Sequence, residues 1–154
     1  MANDKITLYH YTTKKAIDSI KADKKLNKSV LKFDKNGKKK GADAQHGEGV
    51  YFTSLTPDTA KEEIAKNNWD GNARNLPNVI AKAIKKGQVD YYIAIHFDKK
   101  DKKLKECLDT KDFLIAMGRS VWLYEDVIDL DSDEFKYNHV FGETFEEKNQ
   151  AENF

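Results

Sequence analysis

The chain is short of cysteine, arginine, long apolar runs and net charge, and each shortage excludes something. A single cysteine, Cys107, rules out a disulfide framework and a cysteine zinc site. No apolar run approaches the ~18 residues of a membrane-spanning helix, and no secretory leader is expected before the first strand. A net charge of +1 gives no global case for nucleic acid or a membrane surface. No glycine loop of the Rossmann or P-loop kind is present to cradle phosphate.

What remains is a chain of 154 residues, for which one domain is the expectation. The hydrophobic fraction of 39% allows a true core, and the charged fraction of 34% a heavily solvated surface. The charges are unevenly placed. Nine lysines crowd Lys21 to Lys40, and ten acids crowd Glu125 to Glu152. They form either two solvated, mutually attractive surfaces or a basic loop that meets an acidic partner or a phosphate backbone. Residues 1–130 form the expected domain, and 131–154 a peripheral acidic tail.

Period-2 alternation over Ile6 to Tyr11 predicts a first strand, with Ile6, Leu8 and His10 on one face. Thr12 or Thr13 caps a helix whose Ala16, Ile17 and Ile20 form an apolar stripe, ending near Ala22 or Asp23. Leu26 to Gly41 reads as a lysine-rich mobile loop with a turn at Asn36-Gly37. The chain then turns on His46 to Ala60. Gly47 and Gly49 free the backbone so that another group can approach closely. Val50 and Phe52 alternate with Tyr51 and Thr53, so Tyr51 points away from the two apolar residues. Thr56-Pro57-Asp58 then predicts a helix start, with the helix running to Asn67 and placing Ala60 and Ile64 on one face. A second helix over Leu76 to Lys86 ends at Gly87. Val89 to Phe97 is the clearest strand, and Phe113 to Ala116, Val121 to Tyr124 and Val127 to Leu130 read as shorter ones. This order is α+β.

Two segments carry a resemblance. Leu8-Tyr9-His10-Tyr11-Thr12-Thr13, followed by Ile17, Ile20 and Leu26, resembles the first motif of ADP-ribosyltransferases of the diphtheria-toxin and poly(ADP-ribose) polymerase type. Gly47-Glu48-Gly49-Val50-Tyr51-Phe52 resembles their second motif. The nearest match is the toxin-associated group with a His-Tyr-Asp signature, and the two motifs cover about a third of the chain. The resemblance implies a split β-sandwich with flanking helices and an NAD+ site between two small sheets. NAD+ would be the co-substrate, with no metal, and ADP-ribose would pass to a macromolecular acceptor, protein or nucleic acid. It further implies that His10 bonds a ribose hydroxyl and that Tyr51 stacks on nicotinamide. Tyr11 would hold the carboxamide through its backbone, and Thr12 would belong to the same cofactor-binding set. Gly49 would lie against the ligand, and Thr59 near the carboxamide.

The family's late-strand carboxylate has no counterpart at Arg119-Ser120, so the third member is expected at Asp126, with Asp98 as the alternative. A protein of this kind works in the cytoplasm, its own or that of a cell it is delivered into. An NAD+ glycohydrolase and an inactive ADP-ribose- or protein-binding module share the fold and stay open. An RNA 2′-phosphotransferase ranks below them, because Arg74 and Arg119 are the only arginines. His46-Gly47-Glu48 is similar to half of a zinc deaminase motif, but no Pro-Cys-x-x-Cys follows.

Overall fold

The computed structural model describes residues 4–28, 32–33, 39–40, 48–69, 76–107 and 120–144. Two three-stranded antiparallel sheets face each other across the main core. The first has the order β1-β6-β10, with β1 Lys5–Thr12, β6 Tyr91–Asp98 and β10 His139–Glu143. The second has the order β5-β8-β7, with β5 Val50–Phe52, β8 Trp122–Tyr124 and β7 Leu104–Glu106. Smaller pairs join β2 (Lys25–Leu26) to β9 (Ile128–Asp129), and β3 (Lys32–Phe33) to β4 (Lys39–Lys40). The class is α+β, as the order of elements predicts.

Alternation decides which face each strand buries. Leu8 on β1, Ile93, Ile95 and Phe97 on β6, and Val50 and Phe52 on β5 all enter the core between the sheets. The helix α1 (Lys14–Asp23) closes one side and buries Ile17 there. Its N-cap is Thr13, whose hydroxyl accepts from the Ala16 amide at 3.1 Å. The opposite face of β1 and β6 is covered by α2 (Lys61–Trp69) and α3 (Leu76–Lys85). Ile64, Ala65 and Val89 pack there with Tyr9, Tyr11 and Tyr92. α3 ends in a Schellman motif, with Gly87 N–H on the Ile84 carbonyl at 3.0 Å and Gln88 N–H on Ala83 at 2.9 Å.

Three expectations need correction. Thr56-Pro57-Asp58 does not open a helix. It is a turn closed by Thr59 N–H on the Thr56 carbonyl at 3.0 Å, with the Thr56 hydroxyl on the Asp58 carboxylate, and α2 begins at Lys61. A proline after threonine suits position i+1 of a β-turn as well as the first turn of a helix, so local chemistry does not separate the two. The lysine-rich loop holds the β3–β4 pair, and Leu26 is buried in β2; the Asn36-Gly37 turn lies outside the described residues. The segment after Asp131 is not peripheral as far as Thr144. It supplies β10, paired along β6, and buries Phe135 in the main core. The structure also adds β7, a three-residue strand with no sequence signal of its own. The strand expected over Phe113 to Ala116 lies outside the described residues.

Candidate active site

β1 and β5 meet at one isolated bridge, Tyr9 opposite Thr53. Tyr9 N–H donates to the Thr53 carbonyl at 2.8 Å, and Thr53 N–H to the Tyr9 carbonyl at 2.9 Å. One residue further along β1, an imidazole rather than a backbone group spans the strands. His10 Nδ1 lies 2.8 Å from the Tyr51 carbonyl. The structure thus brings His10 and the Tyr51 carbonyl together on facing strands, next to the single bridge between them. The His10 ring sits edge-on to Phe52, at 5.8 Å between centroids, on the core side of both strands.

The chemistry of His10 follows from this bond. A carbonyl only accepts, so Nδ1 carries the proton and Nε2 is left with a lone pair while the ring is neutral. Burial holds the His10 pKa below its ordinary value, and the hydrogen bond to the Tyr51 carbonyl offsets part of that. The depressed pKa has a consequence for stability. As pH falls below about 6.5, the unfolded chain takes up a proton that the folded His10 refuses, so folding weakens. The loss ends once pH passes the folded pKa. Urea midpoints should therefore fall across this window more steeply in the wild type than in His10→Gln. Parallel profiles would show that His10 is not the group responsible.

Backbone groups on alternate residues of a strand point to the same edge. Tyr9 points its amide and carbonyl at β5, so those of Tyr11 face the same side, past the bridge and beside Tyr51. Thr12 points the other way, toward Tyr91 on β6. Of Tyr11 and Thr12, only Tyr11 turns its backbone groups toward the β5 side. Its side chain lies on the opposite face, where the hydroxyl donates to the Leu55 carbonyl at 2.6 Å. Burial, then the neighbouring Tyr9, Tyr92 and Asp58, raise the Tyr11 pKa, so the phenol stays a donor. This bond ties the turn carrying Thr59 to β1. Tyr11→Phe should keep the ring packing, lose about 1 kcal/mol of stability, and raise the protease sensitivity of residues 55–60 first. Uniform protection across the chain would count against that local role.

Gly49 is buried, and another group does approach it closely, as expected. A Cβ there would lie 2.3 Å from the Tyr124 carbonyl oxygen and 2.6 Å from Leu123 Cδ1. The group that approaches Gly49 closely is β8. Gly47, with His46, lies outside the described residues.

Register separates Asp98 from His10, and Asp126 is held by neighbours of its own. Asp98 is opposite Lys5 at the start of β1, five residues and roughly 17 Å from His10. Asp126 follows β8, accepts from Lys103 Nζ at 2.9 Å and from Val127 N–H at 2.8 Å, and is ionised more readily than usual because of those two partners. Ser120, next to where a late-strand carboxylate was expected, is held by a helix side chain instead. The Asn67 carboxamide accepts from Ser120 N–H at 2.6 Å and donates to the Ser120 carbonyl at 2.8 Å. Asn67 was missed in the sequence, although its spacing after Ile64 placed a polar side chain on the apolar stripe of α2. Among the described residues no group of three His, Cys, Asp or Glu could hold a metal ion, and no helix is long and apolar enough to cross a membrane.

A family model described as "HYD1 signature containing ADP-ribosyltransferase" matches residues 8–112. The match begins in β1, spans His10 and Tyr51, and ends before Asp126. No curated protein and no solved structure matches the chain. The chain belongs to the toxin-associated ADP-ribosyltransferases with this signature.

Proposed function

We propose that this ADP-ribosyltransferase uses NAD+, breaks the bond between nicotinamide and ribose, and transfers a single ADP-ribose to a macromolecular acceptor, protein or nucleic acid. The observation that carries the proposal is the 2.8 Å bond between His10 and the Tyr51 carbonyl. It joins two of the residues that the family resemblance names, on facing strands.

In this reading His10 Nε2 accepts a hydrogen bond from a ribose hydroxyl, since Nδ1 is committed to Tyr51. The Tyr11 amide and carbonyl bond the nicotinamide carboxamide, and Thr59 approaches it from the turn. The Tyr51 ring lies against the nicotinamide plane. The C–N bond breaks with its electron pair leaving on nicotinamide, so positive charge develops on the ribose. An acceptor nucleophile then bonds to the sugar carbon and gives up its proton. An anion near the developing charge would stabilise it, more strongly the drier the site. Asp126 is the carboxylate proposed for this, and it must first leave Lys103. Delivery into another cell's cytoplasm fits the toxin association of the family.

Incubation with adenylate-labelled NAD+ and a lysate should yield a labelled macromolecule and free nicotinamide. His10→Ala and Tyr51→Ala should abolish or sharply reduce both, and wild-type labelling by both variants would remove the assignment. Asp126→Asn tests the third member separately. A second reading, an inactive binding module, draws on the Lys103 pair of Asp126 and on Asn67 holding Ser120. NAD+ binding in a calorimeter with no nicotinamide released would support it.

A further inference from the structure

Asn67 lies in the last turn of α2 and is almost fully buried. Besides its two bonds to Ser120, its carboxamide nitrogen donates to Thr53 Oγ1 at 3.2 Å. Thr53 is itself buried, and its backbone makes the bridge to Tyr9. Ser120 leads into β8, which pairs with β5 along its other edge. The Ser120 hydroxyl also meets the Ser54 hydroxyl at 2.6 Å and accepts from Ser54 N–H at 3.0 Å. One carboxamide from a helix therefore holds the end of β5, the approach to β8 and, through Thr53, the junction with β1.

Just past this junction lie His10 and Tyr51, joined by the 2.8 Å bond from the imidazole to the carbonyl. Thr53 is thus bonded to β1 through its backbone and to Asn67 through its side chain. A carboxamide suits the task, because its acceptor and its donors are fixed in one plane and cannot be satisfied by a neighbour that has shifted. A buried polar side chain bonded in this way resists displacement, since each broken bond strands a desolvated group.

We propose that Asn67 is a positioning residue for the reaction: it sets the separation of the His10 and Tyr51 strands by clamping Thr53 and Ser120. The kinetic part of this rests on the proposed use of NAD+, whereas the structural part stands on the Asn67 bonds to Thr53 and Ser120 and on the His10–Tyr51 bond. Misplacement of reacting groups by about 1 Å costs on the order of 10²-fold in rate.

The test uses Asn67→Leu, close in size and without hydrogen bonds, and Thr53→Val, which keeps the shape and the backbone bridge and removes the hydroxyl that accepts from Asn67 and from the Leu55 amide. Ser54→Ala serves as control, because it cuts only the exposed hydroxyl contact to Ser120. Two quantities are read at a temperature where each variant is folded: kcat/KM for nicotinamide release, and the NMR signal of the His10 Nδ1 proton. Asn67→Leu should lower kcat/KM by about 10²-fold and shift or broaden the His10 signal. Thr53→Val should do both to a smaller degree, and Ser54→Ala neither. If Asn67→Leu fails to fold, Thr53→Val decides. Wild-type kinetics together with an unmoved His10 signal in the folded variants would overturn the proposal, leaving Asn67 a stability residue only. A wild-type protein that releases no nicotinamide would defeat the functional reading, while the His10 signal would still decide whether Asn67 controls the strands.

Discussion

Phe52→Ala should cost about 3–5 kcal/mol of folding stability, whereas its neighbour Tyr51→Ala should cost little stability and most of the activity. The contrast comes from the alternation of β5. Phe52 is 4% exposed and packs edge-on to Phe97, at 5.1 Å between centroids. Truncation would leave a void between the two sheets and unseat the aromatic column that continues to Phe135. The His10 ring also rests against Phe52, so the folded fraction of Phe52→Ala should lose activity too. Tyr51 sits on the other face, half-buried, between two core residues in sequence. Its ring is proposed to contribute stacking worth roughly 0.5–1.5 kcal/mol beyond area burial, and to exclude water that would weaken charge interactions around the ribose. Tyr51→Phe keeps the flat ring and should keep most activity. Thermal melts and nicotinamide release on the three variants separate the two roles. A Tyr51→Ala protein that melts as low as Phe52→Ala, yet turns over normally when folded, would make Tyr51 a core residue.

The parts of the fold legible in the sequence are those governed by short-range rules. β1, α1, β5, α3 and β6 follow from alternation, helical spacing, the Thr13 cap and Gly87. The His10–Tyr51 pairing was legible only through the family resemblance, since nothing local says that the two strands meet. Elements missed owe their stability to a partner. β7 is a strand because β8 lies beside it, and β10 because β6 offers a free edge. Acidic neighbours mask the half-buried Phe141 of β10, which packs on the core. Asp98 looked available in a list of turn aspartates, but antiparallel register sends it to the far end of β1. The Asn67 clamp joins residues 53 positions apart, and no sequence window contains both.

Gly49→Ala should destabilise the chain, and its cost should fall on the β5–β8 pair rather than on ligand binding. Glycine to alanine ordinarily stabilises by ~0.4–1 kcal/mol where the backbone tolerates it, by restricting the unfolded chain. Here the new methyl would meet the Tyr124 carbonyl oxygen at 2.3 Å, well inside contact distance. Leu123 Cδ1, at 2.6 Å, can rotate away, but a backbone oxygen in β8 cannot move without parting Val50 from Tyr124. Overpacking of this kind costs about 1–3 kcal/mol or more, which exceeds the entropic gain. The obstacle can be identified by adding Leu123→Ala. That change removes the side-chain clash and leaves the carbonyl, so the double variant should melt no higher than Gly49→Ala. Recovery of the wild-type midpoint would mean that the leucine was the obstacle and that β8 can yield. If instead Gly49→Ala melts like the wild type and loses only NAD+ affinity, the close approach at Gly49 belongs to a ligand and not to β8.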